Sequence, residues 1–190
     1  MDGLLEKRKK IIIYFKIMNY ESETSRSKHL LEKYCVGIGM DVGYGGQKIT
    51  ESAWAFDMPK PYTNVGGDAQ QLRGDCRAFN FICDNALDYI YSSHVLEDFT
   101  YNELIDIIKE WRRILKPNGL IVTNCPNQQI FLAHCAATGQ GTNDAHKEQD
   151  FSLLNFNERV LKFTGKWETV FEYDNFKPYS WLQVIKKINA

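Results

Sequence analysis

The chain has 190 residues, with 23 Lys+Arg against 24 Asp+Glu and 44% hydrophobic residues. That length fits one domain around one sizeable core, and the composition is too apolar for disorder. A net charge of −1 excludes a protein whose main task is to coat nucleic acid, which needs a strong positive excess.

The first ten residues lack the apolar core and small-residue cleavage site of a secretory signal. The longest aliphatic run, Ile11-Ile12-Ile13 extended by Tyr14-Phe15, is far short of the about 20 residues of a membrane span. A cytoplasmic protein without a transmembrane segment is therefore expected. The five cysteines, at 35, 76, 83, 125 and 135, form no C-x-x-C pair, and they read as small buried hydrophobes in a reducing compartment.

Residues 4–18 have helical periodicity, with Lys7-Arg8-Lys9-Lys10 as a solvated end. Residues 21–27 read as a polar connector or a helix start, and Ser27 is placed to cap a short helix through Lys33. From Cys35 the chain turns apolar, giving a buried strand to Val42 that runs into the turn Gly43-Tyr44-Gly45-Gly46. Ala53-Trp54-Ala55-Phe56 is a second strand ending at Asp57, and Ala86 to Tyr91 is a third ending at Ser92-Ser93-His94. Thr100-Tyr101-Asn102-Glu103 has the form of a capping box, followed by Leu104, Ile108, Trp111 and Leu115 at helical spacing. Lys116-Pro117-Asn118-Gly119 stops that helix, and Leu120-Ile121-Val122-Thr123 follows as a strand that breaks at Pro126. Residues 127–150 are polar and Gly-containing with little periodicity, as suits an insert that builds an acceptor pocket or lid. Trp167 to Tyr173 and Trp181 to Ile188 predict a final antiparallel hairpin. Trp54, Tyr89, Tyr91, Phe99 and Trp111 are expected in the core.

Strands alternating with helices predict an α/β fold: a Rossmann-like, doubly wound, mostly parallel sheet closed by the antiparallel C-terminal hairpin. In such sheets ligands bind beyond the carboxyl ends of the strands. Here that place holds the Gly-rich turn, and the second strand ends in Asp57, where a ribose diol would be bonded. A dinucleotide fingerprint would need Gly or Ala at position 48, which is Lys48, and a longer gap before the acid. Only Gln47 to Ser52 lie between turn and strand, too few for a complete crossover of at least about 10 residues. The helix N-terminus that normally holds a pyrophosphate is therefore expected to be missing, which tells against NAD, FAD and ATP. S-adenosylmethionine, an adenosine ligand without phosphate, remains.

Four segments then resemble the class I S-adenosylmethionine-dependent methyltransferases, in order and spacing. They are Asp41-Val42-Gly43-Tyr44-Gly45-Gly46, then Gly67-Asp68-Ala69, then Leu87-Asp88 with Ser92 to Glu97, and Trp111 to Gly119. The resemblance is nearest to the compact type-11 branch associated with surface-polysaccharide and lipopolysaccharide biosynthesis, and it covers about residues 36–126. It implies that Gly43 and Gly45, with Tyr44 at the same turn, pass under the cofactor's methionine part and ribose. Asp57 would bond the ribose hydroxyls, and Asp68 would accept from the adenine amino group beside the backbone of Ala69 and Gln70. Ser92, Ser93 and His94 would line the floor near the sulfonium, while Asp41 would organise the turn or touch the cofactor's ammonium through water. Where the family has Leu-Glu-His, this chain has Leu96-Glu97-Asp98, which puts any inherited His role there in doubt. Pro117-Asn118-Gly119 replaces Pro-Gly-Gly, a harmless change because Asn tolerates the left-handed conformation.

The expected organisation is one domain: a helical extension over 1–34, a cofactor-binding half over 35–126, and an acceptor-side insert with the edge hairpin over 127–190. The expected activity is in-line transfer of a methyl group to a small-molecule or saccharide acceptor, with S-adenosylhomocysteine as the product and no nucleic acid as partner. His94 and His146 are the candidates for a general base. No metal is expected. A non-catalytic protein that binds S-adenosylmethionine or S-adenosylhomocysteine stays open as the alternative.

Overall fold

The computed structural model describes residues 22–61 and 70–189. The expected helix over 4–18 and the segment Gly67-Asp68-Ala69 lie outside the described residues. The first described helix, α1 (Glu23–Leu31), leads through a short 3-10 turn to strand β1 (Gly39–Val42). Strands β2 (Trp54–Asp57), β3 (Leu72–Arg73) and β4 (Leu87–Ser93) follow, then helix α2 (Tyr101–Ile114) and strand β5 (Leu115–Pro126). Helices α3 (Gln128–Thr138) and α4 (Leu153–Arg159) precede the hairpin β6 (Trp167–Phe176) and β7 (Ser180–Lys187).

The strands form one seven-stranded sheet in the order β3-β2-β1-β4-β5-β7-β6. The first five are parallel neighbours, and β7 pairs antiparallel with both β5 and β6, so the predicted edge hairpin is present. Central strands buried on both faces explain the near-continuous apolar runs in the sequence. Ile90 of β4 falls into the larger core with Trp111, Phe151 and Trp181. Its neighbours Tyr89 and Tyr91 point to the other face, where they pack with Leu31, Ile49 and Val122.

Helix α2 is specified locally and packed globally. Thr100 and Glu103 form the reciprocal capping box, and Leu104, Ile107, Ile108, Trp111 and Ile114 are buried at helical spacing. The indole of Trp111 donates to the Cys76 carbonyl at 2.9 Å, which satisfies its one polar atom in the core. The chain leaves the helix at Leu115, and Asn118 takes the left-handed conformation (φ 62°) that its side chain tolerates.

Three expectations are corrected. Helix α1 begins before Ser27: the Ser22 hydroxyl accepts from Ser25 N at 3.0 Å as the cap. Ser27 lies inside the helix, buried, and its hydroxyl donates back to the Glu23 carbonyl. The stretch after Pro126 is ordered at its start as α3, capped by Asn127 and ended by Gly139 at φ 72°. Its inward positions are Gln128, Phe131 and Cys135, and a polar residue at the first of them hides the period. Trp54 opens β2 with its ring facing solvent, 48% exposed, whereas Tyr89, Tyr91 and Trp111 are fully buried and Phe99 is partly so. Four cysteines are buried and Cys83 is exposed, and none is paired.

Between β1 and β2 there is no helix, only turns. The shortened crossover read from the spacing is therefore a property of the fold.

Candidate functional site

A cavity of about 830 Å³ opens at the carboxyl ends of β1, β2 and β4. Its volume is within the range of small-molecule sites. One side is the glycine turn. Gly43 stands at φ 71°, and a Cβ there would come within 2.1 Å of the Val95 side chain. At Gly45 a Cβ would meet nothing nearer than the Gly43 carbonyl at 3.9 Å, so the missing side chain leaves open space on the cavity wall. The turn is fastened to β2 by Gly43 N, which donates to the Phe56 carbonyl at 2.9 Å.

Asp57 ends β2 and lines the cavity. Its Oδ1 accepts from Met58 N at 2.7 Å and its Oδ2 from Gly45 N at 3.4 Å, leaving lone pairs for ligand hydroxyls. Burial raises its pKa, against the lowering effect of those two amide donors. Tyr44 and Ser93 also line the cavity, and Ser93 Oγ accepts from Asn124 at 3.3 Å.

Two predicted cofactor residues stand back from the cavity. Asp41 is fully buried and does not line it; its Oδ2 accepts from Ile49 N at 2.7 Å, which pins the far end of the turn. Ser92 is fully buried too and is outside the lining. Asp68 and Ala69 belong to the undescribed residues.

The other side is a cluster of ionisable groups. His94, at φ 54°, follows β4 and has both ring nitrogens engaged. Its Nδ1 is 3.3 Å from Glu97 Oε1, and its Nε2 is 3.2 Å from Ser180 Oγ and 3.7 Å from Glu23 Oε2. Burial disfavours its protonation, but the hydrogen bond and charge of Glu97, with Glu23 behind, outweigh that and raise its pKa above 6.5. His146 approaches the same carboxylate from the loop after α3. Its Nδ1 lies 2.6 Å from Gln128 Oε1, which makes it the donor there and leaves Nε2 as the lone-pair nitrogen, 3.8 Å from Glu97 Oε1. Burial lowers the His146 pKa, and the nearby His94 lowers it further against the opposing pull of Glu97. Tyr179, just ahead of β7, donates to Glu23 Oε1 at 3.0 Å. Its pKa is pushed up to about 12 by burial and by the Glu23 charge.

His94 and His146 are therefore brought to one carboxylate. Glu97, Glu23, Gln128 and Tyr179 were missed by the sequence reading. Glu97 had a signal, since it lies in the quoted Leu96-Glu97-Asp98 segment, which was read for its third residue only. Glu23 and Tyr179 carried none: one precedes the recognisable motifs and the other sits in a turn. Among the described residues no group of three His, Cys, Asp or Glu could hold a metal ion, and no helix is long and apolar enough to cross a membrane.

Residues 40–123, from β1 into β5, match the family model described as a methyltransferase domain. No curated protein matches the chain in sequence. Among solved structures the fold is similar to a protein of Pyrococcus horikoshii OT3, with a TM-score of 0.65 at 18% identity, covering 91% of this chain and 97% of that one. It is also similar to a SAM-dependent methyltransferase of Archaeoglobus fulgidus (TM-score 0.61, 15% identity, 93% and 99% covered). An S-adenosylmethionine-dependent methyltransferase of Mesorhizobium loti gives a TM-score of 0.61 at 11% identity, with 87% and 98% covered. The architecture is the Rossmann-like α/β fold of the methyltransferases. The match to the methyltransferase-domain model spans residues 40–123, from β1 to within β5, so it falls on the strands that frame the cavity.

Proposed function

We propose that this chain is an S-adenosylmethionine-dependent methyltransferase acting on a small-molecule acceptor. The observation that carries the reading is the turn over residues 43–53: open space at Gly45, no following helix, and the Asp57 carboxylate beside it. A helix N-terminus suits a pyrophosphate. A bare glycine turn with a neighbouring acid suits a ribose and a cation.

S-adenosylmethionine is the cofactor. Gly43, Gly45, Tyr44, Asp57 and Ser93 would hold it, with Asp41 bracing the turn from behind. When bound, it supplies an activated methyl carbon, to which the acceptor's lone pair bonds as the carbon–sulfur bond breaks onto sulfur, leaving S-adenosylhomocysteine. The chain's own residues bind, orient and exclude water from the reacting groups, which supplies much of the rate in such displacements.

His146 is the better placed base. Its lone-pair nitrogen faces the cluster, and its lowered pKa keeps it neutral at pH 7. His94 has both nitrogens committed to other groups, so its work is to hold Glu97 and Ser180 in place. The resemblance to the polysaccharide-associated branch supports an acceptor of small-molecule or saccharide type.

Titration calorimetry tests the cofactor reading. S-adenosylhomocysteine should bind and NAD should not; absence of S-adenosylhomocysteine binding at millimolar concentration would refute it.

A further inference from the structure

We propose that the acceptor presents an amine, held as its ammonium by the Glu97 carboxylate and relieved of its proton by His146. The inference rests on the methyltransferase reading and narrows its substrate class.

Glu97 is 1% exposed yet lines the cavity, and its Oε2 has no hydrogen-bond partner among the described residues. A buried carboxylate oxygen left unpaired is costly, and native structures rarely leave one so. Glu23 Oε2, across the His94 ring, also has no hydrogen-bond partner among the described residues, while its Oε1 pairs with Arg26 at 2.8 Å. No Lys or Arg forms an ion pair with Glu97 among the described residues; its ionisable neighbours are the two imidazoles. The cluster therefore has acceptor oxygens to spare and lacks donors, which a ligand N–H group supplies.

Charge selects among ligands further. A phosphate or carboxylate acceptor would be repelled by Glu23 and Glu97. A neutral hydroxyl would satisfy one oxygen and bring no charge to two carboxylates that share His94, with Arg26 beside Glu23 alone; an ammonium brings both a donor and a charge. The rings of Phe131 and Tyr179, 5.1 Å apart, line the same cavity.

The proton balance closes without another reagent. The bound ammonium gives one proton to His146 Nε2, which becomes imidazolium, and the freed nitrogen lone pair is the nucleophile. Gln128, accepting from Nδ1, holds the imidazole in the tautomer that can do this.

The test is calorimetry on protein saturated with S-adenosylhomocysteine, using matched pairs: 2-phenylethylamine against 2-phenylethanol, and glucosamine against glucose. At neutral pH at least one amine should bind about tenfold tighter than its hydroxyl counterpart. Glu97→Gln should erase that preference with S-adenosylhomocysteine affinity unchanged. Equal binding within both pairs, or no binding by either amine, overturns the proposal, and this comparison needs no variant. Loss of S-adenosylhomocysteine affinity in Glu97→Gln also overturns it, because the carboxylate would then serve the cofactor's own ammonium. Failure of the wild-type protein to bind S-adenosylhomocysteine is a different result: it removes the methyltransferase reading and the inference with it.

Discussion

On one side of the cavity stands the glycine turn with the end of β2, a single run of chain in which Gly43 and Gly45 have only backbone to present. On the other side are side chains from separate stretches: Glu23 from α1, His94 and Glu97 after β4, His146 after α3, and Tyr179 ahead of β7. The first side is made by conformation, the second by convergence. A glycine turn binds through what its residues omit, so its chemistry is shared by every ligand with the same backbone-reading part. A convergent cluster binds through charge and tautomer, so its chemistry belongs to one acceptor class.

That contrast can be broken by substitution, and the largest effect is expected on the convergent side. His146→Ala should lower kcat by about 10²–10⁴-fold, the usual worth of a general base, while S-adenosylhomocysteine affinity stays the same. In the wild-type protein the acidic limb of kcat should fall below pH 6.5, because the His146 pKa is lowered. Equal losses of turnover and cofactor affinity would mean that the two sides are not separable.

Next comes the conformational side. Asp57→Ala should weaken S-adenosylhomocysteine by about 1–3 kcal/mol, the cost of removing one partner from a buried or charged hydrogen bond. Calorimetry reads this directly, and unchanged affinity would remove Asp57 from the cofactor site.

Smaller still is the support beneath both sides. Thr100→Ala deletes the hydroxyl of the α2 capping box and should cost about 1 kcal/mol in urea denaturation. Cofactor affinity should be untouched, since the cap is remote from the turn in sequence and serves α2.

The smallest expected effect is a pH trend. His94 has a folded pKa above 6.5, so it adds stability that is complete below pH 6.5 and is lost as pH rises through the folded value. His146 has the opposite sign: its folded pKa is lowered, and it subtracts stability only as pH falls below 6.5. The denaturation midpoints of wild type and His94→Gln should therefore converge as pH is raised from 6.5. A gap that widens would contradict the ion-pair assignment of His94.

The same contrast explains what could be read from the residues. The capping box, the strand-terminal Asp57 and the missing crossover helix are each encoded within a dozen residues, and the fold keeps them. Helix α1 was misplaced because Ser22 and Ser27 are both competent caps, and only burial against Tyr91 and Asn124 puts Ser27 inside. Helix α3 was missed because Gln128 occupies an inward position for the sake of His146. The pairing of Glu97 with His146 depends on two loops meeting, which no local pattern records. Trp54 went to the surface because the first residue of a short strand has fewer neighbours than its composition suggests.

Strand β7 runs against its parallel neighbours, so its first residues, and not its last, arrive over the cavity: Ser180 pairs with Pro126 at the end of β5. The site consequently includes the tip of a hairpin. Between Phe176 and Ser180 the chain carries no ladder rung except the closing one, yet it holds Tyr179 against Glu23. Such tips accept insertion and replacement far better than crossovers do. Lengthening or recomposing these few residues would recut the acceptor wall and leave all seven strands paired, so that acceptor preference could diverge among sequences sharing one unaltered glycine turn.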